Sequence, residues 1–147
     1  MNLAVKEFNT MSSDFHLQSI LVIDDDLELT EMLSTYLSSM GYQVQVRNDG
    51  EEGLSEAVSG RHYDLILLDV MMPGIDGFET CKRLKIDPDT RDIPVIFVTA
   101  KTELEDIVRG FEIGGVDYIV KPFKREEVLS RVKTHLKIGR LMQDKEC

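Results

Sequence analysis

The chain has 147 residues, 27 of them Asp or Glu and 17 Lys or Arg, so its net charge is −10 and its isoelectric point is near 4.7. With 42% hydrophobic and 30% charged residues it reads as one soluble globular domain, able to bury roughly two-thirds of its unfolded surface without disulfides or a structural metal. The acidic balance argues against direct nucleic-acid contact, and the apolar runs fall far short of the ~20 residues of a membrane span. Two cysteines, Cys81 and Cys147, and no apolar leader point to a reducing cytoplasm.

Residues 1–18 mix polar and apolar types without a sustained period, which predicts a flexible arm. From Ser19 onward, short apolar runs alternate with helical periods, the pattern of an α/β fold with a parallel sheet. The first run, Ser19 to Ile23, ends in Asp24-Asp25-Asp26. Leu29, Met32, Leu33, Tyr36, Leu37 and Met40 share one helix face, and Gly41 stands where a left-handed cap stops that helix. Val44 and Val46 alternate with polar residues, which predicts a strand near an edge.

A second helix, over about residues 50–59, carries Gly53 at a cost of roughly 1 kcal/mol. Leu65 to Leu68 is apolar on both faces, hence a central strand, and ends in Asp69. A Pro- and Gly-containing loop over residues 70–77 leads into a third helix through Phe78, Cys81 and Leu84. The fourth strand, Val95 to Val98, delivers Thr99; Leu104, Ile107, Val108 and Phe111 then lie at helical spacing. The fifth strand, Tyr118 to Val120, ends in Lys121-Pro122, and a fifth helix starts near Arg125 and runs through Val128, Leu129, Val132, Leu136 and Leu141. Five β-α units use the whole remaining length, leaving no room for a second domain.

In an open α/β sheet, ligands bind beyond the carboxyl ends of the strands, where the strand order reverses. Asp24, Asp25, Asp69, Thr99 and Lys121 each follow an apolar run, so the sheet carries all five to one rim. Three acids placed together need a cation. Hard oxygen ligands suit Mg²⁺, and Lys121 supplies a second, fixed positive charge. Such a set resembles a phosphoryl-transfer site, with a carboxylate nucleophile, a metal and a lysine. Taken singly, an Asp after a strand is as well explained as a helix cap or turn former, and Asp26 fits that explanation best.

These residues resemble the receiver domain of two-component response regulators, the chemotaxis-regulator-like family. The resemblance rests on residues 20–26, 64–77, 94–100 and 115–123 and covers roughly residues 19 to 135. It implies a flavodoxin-like (βα)5 fold, doubly wound, with five parallel strands in the order 2-1-3-4-5, a receiver over residues 19–137 and a helical extension or tail over 138–147. By the same resemblance Asp69 is the phosphoacceptor, served by a sensor histidine kinase or phosphotransfer protein. Mg²⁺, or Mn²⁺ in its place, is held by Asp25, Asp69 and the Met71 backbone carbonyl, with Asp24 acting through a bound water. Lys121 pairs with the phosphoryl oxygens, and the Lys121-Pro122 bond is cis. Thr99 and Tyr118 are the switch pair, and the output is read on the surface of the fourth helix, fifth strand and fifth helix by a protein effector or a second copy. A regulatory phosphoacceptor rather than an enzyme is implied, cytoplasmic, with no membrane partner. Met71, two residues past the acceptor, carries no strong donor to orient a hydrolytic water, which predicts slow self-dephosphorylation.

The remaining candidates read as structural. His16, His62 and His135 have no ligand spacing. Cys81 is a small apolar residue on a helix, and Glu51-Glu52 and Glu126-Glu127 are solvated faces. The tail from Arg131 shows no DNA-binding motif and leaves Leu136 and Leu141 for a partner helix, as in a stand-alone regulator or a receiver separated from its effector. Two other functions share the fold or the chemistry. A phosphorylation-independent binding module usually loses the acceptor Asp or the Lys, and both are here. An aspartyl-phosphate phosphatase of the haloacid-dehalogenase type needs Asp-x-Asp-x-Thr/Val after its first strand, where this chain has Glu28 in the last place.

Overall fold

The computed structural model describes residues 17–146, with side chains through Met142, so the arm expected over residues 1–18 lies outside the described residues except for Leu17 and Gln18. In chain order the elements are β1 (Ser19–Ile23), α1 (Leu27–Ser39), β2 (Gln43–Arg47), α2 (Gly50–Ala57), β3 (Leu65–Leu68), α3 (Gly77–Ile86), β4 (Val95–Thr99), α4 (Leu104–Ile113), β5 (Asp117–Val120) and α5 (Arg125–Glu146). All strand pairs are parallel, and the sheet order is β2-β1-β3-β4-β5, as expected. The order reverses between β1 and β3, which opens a crevice at their carboxyl ends.

The period-2 alternation of each strand divides the core into two layers. Leu21, Ile23, Ile66, Leu68, Val95, Phe97 and Tyr118 face one side, where Phe78, Cys81 and Leu84 of α3 pack with partly buried Leu54 of α2 and Ile107 of α4. Ile20, Val22, Leu65, Leu67, Ile96, Val98 and Ile119 face the other, under Leu33 and Leu37 of α1 and Val128, Val132 and Leu136 of α5. Burying each such side chain stabilises the fold by about 1.5–3 kcal/mol.

The helices start and stop by local chemistry. Asp26, Asp49 and Asp76 accept the backbone N–H of Leu29, Glu52 and Glu79 at 3.1, 2.7 and 2.8 Å, capping α1, α2 and α3. Gly41, at φ +91°, donates its N–H to the Ser38 carbonyl and closes α1. α2 ends at Ala57, short of the expected 59, as the Val58 N–H donates to the Leu54 carbonyl and the Ser59 N–H to that of Glu56. Gly53 is tolerated inside α2 because a Cβ there would stand 2.4 Å from Ile23 Cδ1. Its helix penalty is exchanged for close packing of α2 on β1.

One expectation is corrected. Leu136 is 4% exposed and packed in the core, so it is not free for a partner helix, whereas Leu141 is 58% exposed. α5 runs unbroken across the expected boundary at 137/138. It is fastened to the start of β5 by Asp117, whose carboxylate accepts from Arg131 at 2.9 and 3.0 Å and pairs with His135 at 3.0 Å. Among the described residues no helix is long and apolar enough to cross a membrane.

Candidate functional site

The register places the acids. Ile23 of β1 pairs with Leu68 of β3, so the residues that follow them emerge side by side in the crevice. The Asp69 N–H donates to the Ile23 carbonyl at 3.0 Å and the Asp24 N–H to that of Arg47 at 3.1 Å, which ties both backbones into the sheet. Neither Asp24 nor Asp69 caps a helix; Asp26 and Asp76 do that work. Their carboxylates are nonetheless 2% and 6% exposed, a burial that costs free energy unless a cation answers it. Oxygens of Asp24, exposed Asp25 and Asp69 all lie within 4.8 Å of one another.

Lys121 brings that cation from β5. Its Nζ stands 2.8 Å from Asp24 Oδ2 and 3.2 Å from Asp69 Oδ2. Burial pushes the Asp24 carboxyl up to about 6, helped by the charge of Asp69 and opposed by hydrogen bonds from Lys121 and the Asp26 N–H. Burial pulls the Lys121 ammonium down, but the hydrogen bonds and charges of Asp24 and Asp69 outweigh it and hold it above the ordinary lysine value. The Lys121–Pro122 peptide bond is cis.

Thr99 ends β4 opposite Val120, fully buried, and its carbonyl accepts the Lys121 N–H at 2.9 Å. Thr99 Oγ1 accepts the Lys101 N–H at 3.4 Å, while the Tyr118 hydroxyl donates to the Lys101 carbonyl at 2.9 Å. One loop residue therefore links Thr99 to Tyr118. Burial, with the charges of Asp106 and Asp69, pushes the Tyr118 hydroxyl up to about 12, so it stays a donor at neutral pH. Met71 is exposed, and its N–H donates to Asp69 Oδ1 at 3.2 Å.

The family model of the response regulator receiver domain matches residues 20–133. The chain belongs to that family. The receiver is similar to the DNA-binding dual master transcriptional regulator RpaA of Synechocystis sp., 45% identical over 118 residues that cover 80% of this chain and 48% of RpaA. It is 43% identical over 120 residues to the DNA-binding response regulator MtrA of Mycobacterium leprae, covering 82% of this chain and 52% of MtrA. The chain thus spans about half the length of the curated relatives it matches. Among solved structures, chemotaxis protein CheY4 of Vibrio cholerae superposes with a TM-score of 0.76 at 31% identity, over 80% of this chain and 98% of that one.

In this receiver Asp24, Asp25 and Asp69 come together, with Lys121 against Asp24 and Asp69 and Thr99 beside Lys121 at the end of β4, and the acidic cluster could hold a metal. Sequence reasoning missed the residues that hold them there. Asn48 Nδ2 donates to the Asp24 carbonyl at 3.1 Å, with no local pattern to announce it. Gly77 is a plain loop glycine in sequence, yet a Cβ there would stand 2.1 Å from the Asp69 carbonyl oxygen. Arg109 of α4 lies over the Phe78 ring, 4.5 Å from its centroid, a pairing across elements that spacing along one helix does not reveal. Glu51, Glu52 and Glu126 are exposed, whereas Glu127 is half-buried with an oxygen 3.6 Å from Arg131 Nε. Cys81 is fully buried, and its thiol is pushed up to about 11 by that burial.

Proposed function

We propose that this receiver accepts a phosphoryl group on Asp69 from the phosphohistidine of a sensor kinase or phosphotransfer protein, and signals by changing its α4–β5–α5 surface. The observation that carries the reading is the buried Asp69 carboxylate held 3.2 Å from the Lys121 ammonium at the strand-order switch point. An Asp69 oxygen forms the new O–P bond, the P–N bond breaks, and its electron pair returns to the imidazole nitrogen. Lys121 neutralises the oxygens of the transferred group.

The donor set fits a divalent cation. Three carboxylates lie together while the Lys121 ammonium contacts only Asp24 and Asp69, and at an effective dielectric of ~20 two carboxylates within 4.8 Å of one another repel by about 3.5 kcal/mol or more. All the donors are hard oxygens, which favours Mg²⁺ and admits Mn²⁺. Asp25 and Asp69 would hold it with the Met71 carbonyl, and Asp24 would act through a water. When bound, the ion supplies neutralisation of the phosphoryl oxygens.

Switching follows from the Lys101 link. Turning a 1:99 equilibrium into 99:1 takes about 5.5 kcal/mol, and each charge-assisted hydrogen bond contributes about 1.5–3 kcal/mol. Hydrogen bonds from Thr99, Lys121 and nearby backbone N–H groups to a phosphorylated Asp69 supply most of that difference. Any movement of Thr99 is passed through Lys101 to Tyr118 and α4. The readout is a protein effector or a second copy on the α4–β5–α5 face, in the cytoplasm, without direct nucleic-acid contact by this acidic receiver. The named DNA-binding relatives extend well beyond the length aligned here.

The test is incubation with Mg²⁺ and acetyl phosphate, followed by intact-mass measurement beside Asp69→Asn. One added phosphoryl group, lost without Mg²⁺ and in the variant, is expected. An unmodified wild type overturns the reading in favour of a phosphorylation-independent binding module.

A further inference from the structure

Asp24 and Asp25, two members of the acidic cluster, are joined by one peptide group, and its orientation sets where both carboxylates point. Pairing of β1 with β2 ends at Ile23 and Arg47. One more backbone bond follows, from the Asp24 N–H to the Arg47 carbonyl at 3.1 Å. β2 then turns away into α2, which Asp49 caps by accepting the Glu52 N–H at 2.7 Å. The carbonyl of the 24–25 peptide thus lies past the end of the strand pairing, and a side chain takes over there. Asn48 Nδ2 donates to it at 3.1 Å. The anchor is itself fixed: Arg47, just before it, donates to the Val46 carbonyl at 2.7 Å and pairs with Glu56 at 2.6 Å, and buried Glu56 also accepts the Tyr63 hydroxyl. On the other side of the same peptide, Asp24 Oδ1 accepts the Asp26 N–H at 3.0 Å, while Asp24 Oδ2 accepts from Lys121 at 2.8 Å. Asp25 is exposed, and its aim depends on the peptide that joins it to Asp24.

We propose that Asn48 is a positioning residue for the cation site: by fixing the 24–25 peptide it sets the spacing of the Asp24 and Asp25 carboxylates, and with it the preference of the site for a small, octahedral dication. The inference rests on the cation reading of the acidic cluster given above. Mg²⁺ demands near-ideal octahedral geometry at about 2.0–2.1 Å, whereas Ca²⁺ accepts about six to eight oxygens at about 2.3–2.6 Å in flexible arrangements. Rotation of the peptide moves one carboxylate relative to the other. Loosened in this way, the two acids still offer the same charge but no longer one spacing. Both ions keep the attraction; Mg²⁺ loses the geometry. Groups that orient metal ligands without touching the ion contribute about 10–100-fold to affinity. Asn48 acts through a backbone carbonyl rather than on a ligand oxygen, so its effect belongs at the low end of that range. Its corner is only half-buried, so without Asn48 the Asp24 carbonyl turns to water, and the loss falls on positioning rather than on a stranded polar group.

The test measures the dissociation constants of Mg²⁺ and Ca²⁺ by isothermal titration calorimetry on the metal-free full chain, for wild type, Asn48→Ala, Asn48→Asp and a control, Thr90→Val. Thr90 is buried and its Oγ1 donates to the Leu84 carbonyl at 2.7 Å, so the control removes a comparable side-chain-to-carbonyl bond from the far end of α3. Asn48→Ala is expected to weaken Mg²⁺ about tenfold and Ca²⁺ by less than about twofold, so the preference for Mg²⁺ over Ca²⁺ falls about fivefold or more. Asn48→Asp keeps the shape and replaces the donor with an acceptor. Its added charge attracts both dications alike and cancels in the ratio, so the same shift is expected. Thr90→Val keeps the wild-type ratio, although its urea midpoint in EDTA is lower. A merely structural Asn48 weakens both ions together or neither, and an unchanged ratio in either Asn48 variant that folds overturns the proposal. A shift of equal size in Thr90→Val overturns it as well, since the ratio then follows stability alone. A wild type that binds neither ion brings down the cation reading and this inference with it, whereas wild-type binding with an unchanged ratio in the variants refutes this inference alone.

Discussion

Replacing Lys121 with methionine removes the ammonium that touches both buried carboxylates, 2.8 Å from Asp24 and 3.2 Å from Asp69, while keeping a side chain of similar length. Truncating one partner of a buried ion pair costs about 3–5 kcal/mol. The Lys121 side chain is 20% exposed, so the metal-free protein is expected to lose an amount at the lower end, about 3 kcal/mol. The same change removes a positive charge from beside the acidic cluster, and relief of only about 1.4 kcal/mol of cation–cation repulsion raises the apparent Mg²⁺ affinity tenfold. The chain has no tryptophan, so urea unfolding is followed by far-ultraviolet circular dichroism. It is run in EDTA and across a Mg²⁺ series, and affinity is read from the shift of the midpoint. In EDTA the variant is the weaker protein; in millimolar Mg²⁺ much of the gap closes, yet phosphorylation stays impaired. An EDTA stability within about 0.5 kcal/mol of wild type, together with an unchanged response to Mg²⁺, would falsify the assignment of Lys121 as the neutralising charge.

Three further outcomes are expected. Gly77→Ala places a Cβ 2.1 Å from the Asp69 carbonyl oxygen, so it costs about 1–3 kcal/mol by overpacking and slows phosphorylation by displacing the nucleophile; urea midpoints and labelling rates at wild-type levels would show slack in the loop. At Asp117, burial opposes ionisation, but the Tyr118 N–H, His135 and Arg131 outweigh it and hold the carboxyl below its usual value. A folded value below the unfolded one means stability that is present above about pH 4 and lost as pH falls through the folded value. Asp117→Asn therefore costs about 1 kcal/mol at pH 7, a figure kept small by the exposure of Arg131, and the two urea midpoints converge toward pH 3; a constant offset counts against this. Met71→Asn adds a polar group beside Asp69, where exposed Met71 has none to orient water. It shortens a phospho-protein lifetime that in wild type runs to minutes or longer, and a wild-type half-life of seconds contradicts the role given to Met71.

The rim was legible in the sequence because each of its side chains directly follows an apolar run. Once the runs are strands of one parallel sheet, Asp24, Asp69, Thr99 and Lys121 have nowhere else to go. A local ambiguity, whether Asp24 and Asp69 merely cap helices, is resolved by Asp26 and Asp76, which take the capping bonds. What could not be read was contact between elements. The period of α5 marks Leu136 as apolar but not how far the sheet extends beneath it, so its burial was missed. The Asp117–Arg131–His135 link, the pressure of Gly77 on the Asp69 backbone and the seating of Arg109 on Phe78 each join segments whose adjacency only the packed fold decides.

The most direct test of Asp69 as acceptor is chemical. After reaction with acetyl phosphate and Mg²⁺, borohydride reduction converts an aspartyl phosphate to homoserine, and peptide mass mapping locates the converted residue. Homoserine at position 69 and nowhere else, dependent on Mg²⁺, is the expected result. Conversion at Asp24 or Asp25 instead, or none under conditions that label another receiver, would contradict it.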